Sequence, residues 1–78
     1  MKWEEILEID PFISDDAIKF DNLDECIIAI DHRGYLVFSH NKMVDHFQKD
    51  GMSMEEAMEY IDYNVIGVKP DHYTVIYD

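Results

Sequence analysis

The chain has 78 residues, of which 47% are hydrophobic and 13% aromatic, and its formal net charge is −12. A chain of this length is too short to bury two separate cores, so we expect a single domain over residues 1–78. Its composition excludes a disordered acidic tail. A domain of this size also disfavours an active-site cleft deep enough to desolvate a substrate, so these features favour a binding role over catalysis.

The charge balance is strongly one-sided, since 18 acidic residues stand against six lysines and arginines. Direct binding to DNA or RNA is disfavoured, because it requires a cationic surface and the six basic residues are scattered along the chain. Two interpretations of the negative charge stay open. It either serves solubility alone or attracts a basic partner.

The cysteine content and the amino-terminal residues predict a compartment. Cys26 lies in the apolar run ECIIAI, which indicates a buried structural thiol, and a single cysteine excludes an intrachain disulfide. The first residues, MKWEEILEID, lack the basic and apolar regions of a signal peptide. No apolar stretch approaches the roughly 20 residues that a membrane-spanning helix needs. We therefore expect a soluble, cytoplasmic protein with no membrane contact.

Residues 1–24 are predicted to form an acidic, partly helical segment. Trp3, Ile6 and Leu7 recur at helical spacing among glutamates, which predicts a short amphipathic helix that ends before Pro11. The helix is expected to pack through these apolar side chains at one edge of the remaining fold.

Residues 25–78 are predicted to form a β-β-α-α-β core. The runs ECIIAID and YLVF, separated by a turn that contains Gly34, predict an antiparallel hairpin. Apolar residues on both faces of the first run indicate a central strand. The run YTVIYD, which follows Pro70, predicts a third strand. We therefore expect an α+β fold with a small three-stranded antiparallel sheet.

A helical hairpin is predicted between the second and third strands. Its first helix begins at Ser39 or Asn41 and ends at Gly51. Its second helix begins at Ser53, where the S-x-x-E pattern with Glu56 is typical of a capping box. The inward-facing residues are predicted to be Met43, Val44 and Phe47 on the first helix and Met54, Ala57, Met58, Ile61 and Val65 on the second.

The outward face of the second helix is the candidate binding surface. Glu55, Glu59 and Asp62 follow one another at i, i+4 and i+7, with Tyr63 beside them and Tyr60 near the boundary. Like charges at this spacing mildly destabilise a helix, so helix stability alone does not account for them. The acidic residues either solvate an outer face or form a row that resembles the charges along a nucleic-acid strand.

The second interpretation predicts a partner-binding surface. Tyrosine supplies rigid contact area of the kind that is enriched at binding hot spots. Nine further carboxylates lie within the first 25 residues, and the two acidic regions are expected to contribute to one face. The candidate partner-binding residues are Glu55, Glu59, Asp62, Tyr63, Tyr60, Glu4, Glu5 and Glu8.

The residue pattern does not indicate catalysis or metal binding. The spacing of the four histidines matches no metal-binding motif. Ser14, Ser39 and Ser53 each have a predicted capping role, and Cys26 is not at an exposed turn or helix start that would stabilise a thiolate. We expect no catalytic residue, metal or cofactor.

The segment from Cys26 to Asn64 resembles a group of small, mostly uncharacterised proteins of phages and prokaryotes. The likeness covers about half of the chain and is most specific in DGMSMEEAMEYIDYN. It implies the β-β-α-α-β core and a viral or mobile-element origin, and it implies no catalytic residue. The matching residues are Gly51, Met52, Ser53, Glu55, Glu56, Ala57, Glu59, Tyr60, Ile61, Tyr63 and Asn64.

In size, charge and aromatic content the chain is also similar to small acidic virus-encoded inhibitors, including anti-CRISPR and DNA-mimic proteins. This likeness concerns a class of protein and not a shared fold. It implies a non-catalytic inhibitor that blocks a basic nucleic-acid-binding surface of a host defence protein, such as a CRISPR effector. The alternative is a small interaction module or homodimer that uses Trp3, Tyr60 and Tyr63, with the charge serving only solubility.

Overall fold

The computed structural model describes residues 1–67 and 70–78, which fold into three α-helices and a three-stranded sheet. The α+β class predicted from the sequence is confirmed. Helices α1, α2 and α3 span Trp3–Ile9, His40–Lys49 and Met54–Ile61, and strands β1, β2 and β3 span Ile27–Ile30, Leu36–Ser39 and Thr74–Ile76. Short 3-10 turns cover Asp10–Phe12, Asp24–Cys26 and Pro70–His72, and a π-helical turn covers Asp62–Ile66.

The sheet is mixed, so the prediction of an antiparallel sheet was wrong. β1 pairs with β2 in the antiparallel sense, whereas β3 pairs with β2 in the parallel sense, with Val37 opposite Thr74. The antiparallel pairing of β1 with β2 could be predicted because a short turn connects them. The connection from β2 to β3 contains α2 and α3, and a connection of that length accommodates a parallel strand, so the sequence did not fix the direction.

The central strand is β2 and not β1, which also corrects the prediction. The strand order is β1-β2-β3, and all four residues of β2 are buried. In β1, the pairing shifts between Ile27 and Ala29, and Ile28 and Ala29 are exposed. The irregular pairing interrupts the alternation on which the sequence prediction relied.

The predicted turn at Gly34 is confirmed, and it also anchors the amino-terminal segment. Gly34 has a φ of +87°, and a Cβ there would lie 2.7 Å from the carbonyl oxygen of Phe12. The backbone N–H of Ser14 donates to the carbonyl oxygen of Gly34. The position requires a left-handed φ and leaves no room for a Cβ beside the Phe12 carbonyl oxygen. Only glycine meets both requirements, because other residues are strained at this φ and carry a Cβ.

The core is centred on Phe38, whose side chain is fully buried. Its ring makes edge contacts with Phe20, at 5.4 Å between centroids, and with Tyr73, at 6.4 Å. These contacts join β2 to the amino-terminal segment and to the residue that precedes β3. The other buried core residues are Ile6, Leu23, Cys26, Ile27, Leu36, Met43, Val44, Ala57, Ile61 and Val65.

Helices α1 and α3 bury narrower stripes than the sequence predicted. On α3, Ala57 and Ile61 are buried, but Met54 and Met58 are exposed. On α1, Ile6 alone is buried, while Trp3 and Leu7 are 60% and 53% exposed. These two helices contact the core through one or two buried side chains each, so the apolar residues beside them stay in solvent. The third predicted inward residue of α2, Phe47, is partly buried against the core.

The α2 cap involves the end of the chain. The hydroxyl of Ser39 accepts from the Lys42 N–H, as a predicted N-cap does, and also donates to the carboxylate of Asp78 at 2.7 Å. The same carboxylate accepts from the N–H of Asn41 at 3.1 Å. Both carboxylate contacts lower the pKa of Asp78. A negative charge at the amino end of α2 is also favourable to the helix dipole.

Asp31 organises the hairpin turn. Its Oδ1 accepts from the backbone N–H groups of Arg33 and Tyr35, at 2.8 and 3.1 Å, and its Oδ2 accepts from the Arg33 guanidinium at 2.9 Å. Partial desolvation opposes ionisation of the carboxyl, but the hydrogen bonds and the charge of Arg33 outweigh it and lower the pKa of Asp31 to about 2. Thr74 donates to the same Oδ2, which connects the turn to β3.

This pKa predicts a pH-dependent contribution to stability. The folded-state pKa of Asp31 is depressed, so its stabilising effect is complete above about pH 5 and is lost as the pH falls through 4 towards 2. We expect the Asp31→Asn variant to melt below wild type at pH 6, with a difference in Tm that shrinks steadily towards pH 2.5. Thermal melts followed by circular dichroism give the Tm of wild type and of the variant at each pH. A Tm difference that does not change with pH would contradict the low pKa of Asp31.

Candidate protein-binding surface

The start of α3 is fixed by the predicted capping box, which is confirmed. The Ser53 hydroxyl accepts from the Glu56 N–H at 3.2 Å, and the Glu56 carboxylate accepts from the Ser53 N–H at 3.0 Å. These hydrogen bonds lower the pKa of Glu56. The capping box fixes where α3 begins. Because Ala57 and Ile61 are buried in the core, the opposite face of α3 lies in solvent.

The end of α3 widens into the π-helical turn at Asp62–Ile66. The N–H of Gly67 donates to the carbonyl oxygen of Asp62 at 2.9 Å, and the side chain of Asn64 donates to the carbonyl oxygen of Tyr60 at 3.0 Å. Turns of this kind occur frequently at functional sites. Here the turn presents Tyr63 to solvent, with 82% of its surface exposed.

The predicted carboxylate ridge on α3 lies in solvent. Glu55, Glu59 and Asp62 are exposed, and none of them forms an ion pair with any residue that the structure describes. Each therefore adds an uncompensated negative charge to this face.

Part of the predicted surface borders a shallow groove of about 370 Å³, here called the side groove. It brings Glu59, Tyr60 and Tyr63 together, as the sequence predicted, whereas Glu55 and Asp62 lie outside its lining. The groove is lined by Met52, Glu56, Glu59, Tyr60, Tyr63 and Asn64.

A second concave surface, the central groove, adjoins the first and has a volume of about 630 Å³. It lies between residues 20–25 and the helices α2 and α3, and it shares Tyr60 and Asn64 with the side groove. The rings of Phe47 and Tyr60 meet in its wall with centroids 4.8 Å apart. The lining residues are Phe20, Asp21, Asn22, Leu23, Asp24, Glu25, His46, Phe47, Asp50, Tyr60, Asn64 and Val65.

The two adjoining grooves concentrate negative charge. Six carboxylate residues line them, and none of the lysines and arginines that the structure describes does so. Two carboxylates have a neighbouring base, since Asp24 lies 3.6 Å from Lys19 and Asp50 lies 3.7 Å from His46. The carboxylate residues are Asp21, Asp24, Glu25, Asp50, Glu56 and Glu59.

The carboxylates predicted on α1 lie in a different electrostatic setting. Glu5 borders a third groove, of about 710 Å³, whose lining contains Lys2, Lys42 and Lys49. This groove shares Asp24, Glu25 and His46 with the central groove. Glu4 and Glu8 are exposed and line none of the three grooves described. The amino-terminal acidic residues that line a groove with α3 are therefore those of the 21–25 segment. The prediction from sequence did not separate them from the other carboxylates of the first 25 residues.

Asp50 was not predicted as a candidate, although its position beside Gly51 at the end of α2 is a usable signal.

Asn22 has a φ of +65°, a left-handed conformation that asparagine tolerates better than most residues. It occupies the turn closed by the Leu23 N–H and the Phe20 carbonyl oxygen. Asp21 and Asn22 both line the central groove.

Other chemistry is limited within the parts of the chain that the structure describes. No group of three or more histidine, cysteine, aspartate or glutamate residues is arranged to hold a metal ion there. Cys26 is buried at the end of a 3-10 turn and not within β1, and burial raises the pKa of its thiol. None of the helices found in residues 1–67 and 70–78 combines the length and the apolar character needed to cross a bilayer.

Comparisons with known proteins give no relative from which a role can be transferred. No protein-family model, curated protein sequence or solved structure matches the chain. The likeness to phage proteins therefore stays a prediction, and the functional argument depends on the geometry and charge of the grooves.

Proposed function

We propose that this protein is a non-catalytic, phage-type inhibitor that occupies the basic nucleic-acid-binding surface of a host defence protein, such as a CRISPR effector. One observation carries the proposal: two adjoining grooves with six carboxylates, no lining lysine or arginine among the described residues, and Tyr60 between them. The exposed ridge of Glu55, Glu59 and Asp62 extends the same negative charge along α3. The inhibitor would act in the cytoplasm of the host cell.

The proposed mechanism is electrostatic and steric competition with nucleic acid. Complementary charge accelerates association, and its effect decreases as salt shortens the Debye length, which is about 10 Å at 0.1 M. Tyr60 and Tyr63 would supply the apolar contact area that carboxylates lack. The chain itself would bind neither nucleic acid nor membrane, and it would need no cofactor.

A second candidate function is a homodimer or plain interaction module. It is favoured by the exposure of Trp3, Tyr60 and Tyr63, of which 60%, 41% and 82% lie in solvent. A dimer held by these apolar side chains would persist or strengthen at high salt, because salt screens the repulsion between two copies of net charge −12. Size-exclusion chromatography at low and high salt therefore discriminates the two, since the inhibitor is expected to elute as a monomer at both concentrations.

A capture experiment tests the inhibitor proposal. The immobilised chain is incubated with a prokaryotic lysate, and the bound proteins are identified by mass spectrometry. We expect basic nucleic-acid-binding proteins to be enriched and to be released when excess duplex DNA is added. Captured proteins that duplex DNA does not release, or that have no nucleic-acid-binding surface, would contradict the proposal.

A further inference from the structure

We propose that the central groove receives an arginine side chain of the basic partner and discriminates it from lysine. The inference rests on the proposed function and specifies the chemistry that the partner must present. It depends on three features of the groove: an aromatic wall, unpaired carboxylates at the rim, and an open concave shape.

The aromatic wall is formed by Phe47 and Tyr60. Their rings are 4.8 Å apart and inclined by 54°, so they form an angled surface and not a closed stack. Tyr60 is 41% exposed, which leaves part of its ring available to a ligand. A planar guanidinium stacks on such a ring and interacts with its π-face, whereas an ammonium is a compact and strongly hydrated point charge.

The rim supplies acceptors. Asp21 and Glu25 are exposed, line the groove and have no ion-pair partner within residues 1–67 and 70–78. Carboxylates bind a guanidinium through two parallel hydrogen bonds, and this geometry adds specificity as well as energy. Asp24 and Asp50 have a base at 3.6 and 3.7 Å, respectively. Glu25 also lines the third groove and, after the larger effect of Asp45, raises the pKa of Lys49 through its charge, but it forms no ion pair with a described residue. Asp21 and Glu25 are therefore the acceptors that an incoming cation would meet without an ion pair in the described part of the chain.

Shape and charge together favour a basic partner over a second copy of the chain. A volume of about 630 Å³ is within the roughly 300 to 1,000 Å³ typical of ligand sites. A second copy would bring another net charge of −12 against a rim that already carries four carboxylate residues. Repulsion disfavours that arrangement, whereas an arginine compensates the charge and covers the exposed ring.

Two labelled peptides of equal charge provide the test. One nine-residue peptide alternates glycine with arginine, the other alternates glycine with lysine, and each is titrated with the full chain while fluorescence anisotropy is measured. We expect the arginine peptide to bind about 3- to 30-fold more tightly, the range that corresponds to a cation–π contact. Equal affinities for wild type, or no binding of either peptide, would overturn the inference.

Substitutions locate the effect. Tyr60→Leu should remove the preference for arginine and change the affinity for the lysine peptide less than about twofold, and Tyr63→Leu, outside the central groove, should preserve the preference. If Tyr60→Leu does not fold, the double variant Asp21→Asn with Glu25→Gln provides the test. It should lower the affinity for the arginine peptide more than the affinity for the lysine peptide. An equal loss for both peptides overturns the arginine inference while leaving charge-based inhibition intact, because DNA release in the capture experiment tests the latter separately.

Discussion

Replacement of Phe38 by alanine is expected to leave about half or more of the protein unfolded at 25 °C. The side chain is fully buried and makes edge contacts with Phe20 and Tyr73, so its removal opens a cavity where β2 meets two other parts of the chain. Truncation of a buried phenylalanine costs about 3 to 5 kcal/mol. A core of this size supplies about the same amount in total.

Urea denaturation followed by circular dichroism measures this effect. Tyr63→Ala is the matched aromatic control, because Tyr63 is 82% exposed and its truncation should change the free energy of unfolding by no more than about 0.5 kcal/mol. A Phe38→Ala variant that unfolds cooperatively with a loss below 1 kcal/mol would place the centre of the core elsewhere.

Reversal of the α3 ridge is expected to abolish partner binding. In the triple variant, lysine replaces Glu55, Glu59 and Asp62, so three attractions to a basic surface become repulsions. We expect the affinity for a captured partner to fall by about 100-fold or more at low salt, and by less at high salt, where screening already weakens the pairing. The helical signal should be preserved, since these side chains are exposed.

The matched control carries the same charge change elsewhere. In this control, lysine replaces Asp10, Asp15 and Asp71. The net charge again changes from −12 to −6, because each acid-to-lysine substitution adds two positive charges. These three residues are exposed and line none of the grooves described. If the position of the charge matters, the control retains most of the affinity; equal losses in the two triple variants would show that only net charge counts.

The features predicted correctly from the sequence are those set by local interactions. The capping box at Ser53 and Glu56, the cap at Ser39 and the left-handed Gly34 each depend on residues close together in the chain, and each is present. The direction of β3 depends on how α2 and α3 pack over the sheet, and nothing in the run YTVIYD encodes it.

The candidate surface was predicted in part for the same reason. Helical spacing correctly placed Glu55, Glu59 and Asp62 in solvent, because one face of α3 must cover the core. The central groove joins Asp21 and Glu25 to Tyr60, which lies 35 or more residues further along the chain. Only the tertiary packing of the 20–25 turn against α2 and α3 brings them together.

The most direct test of the proposed inhibition is displacement of labelled nucleic acid from a purified captured partner. The chain is titrated into the preformed complex, and the release of nucleic acid is followed by fluorescence anisotropy at low and high salt. Competition at the same surface predicts complete release by wild type and by the Asp10, Asp15 and Asp71 control, weaker release at high salt, and no release by the Glu55, Glu59 and Asp62 variant. A stable ternary complex, in which the partner holds the chain and the nucleic acid together, would contradict it.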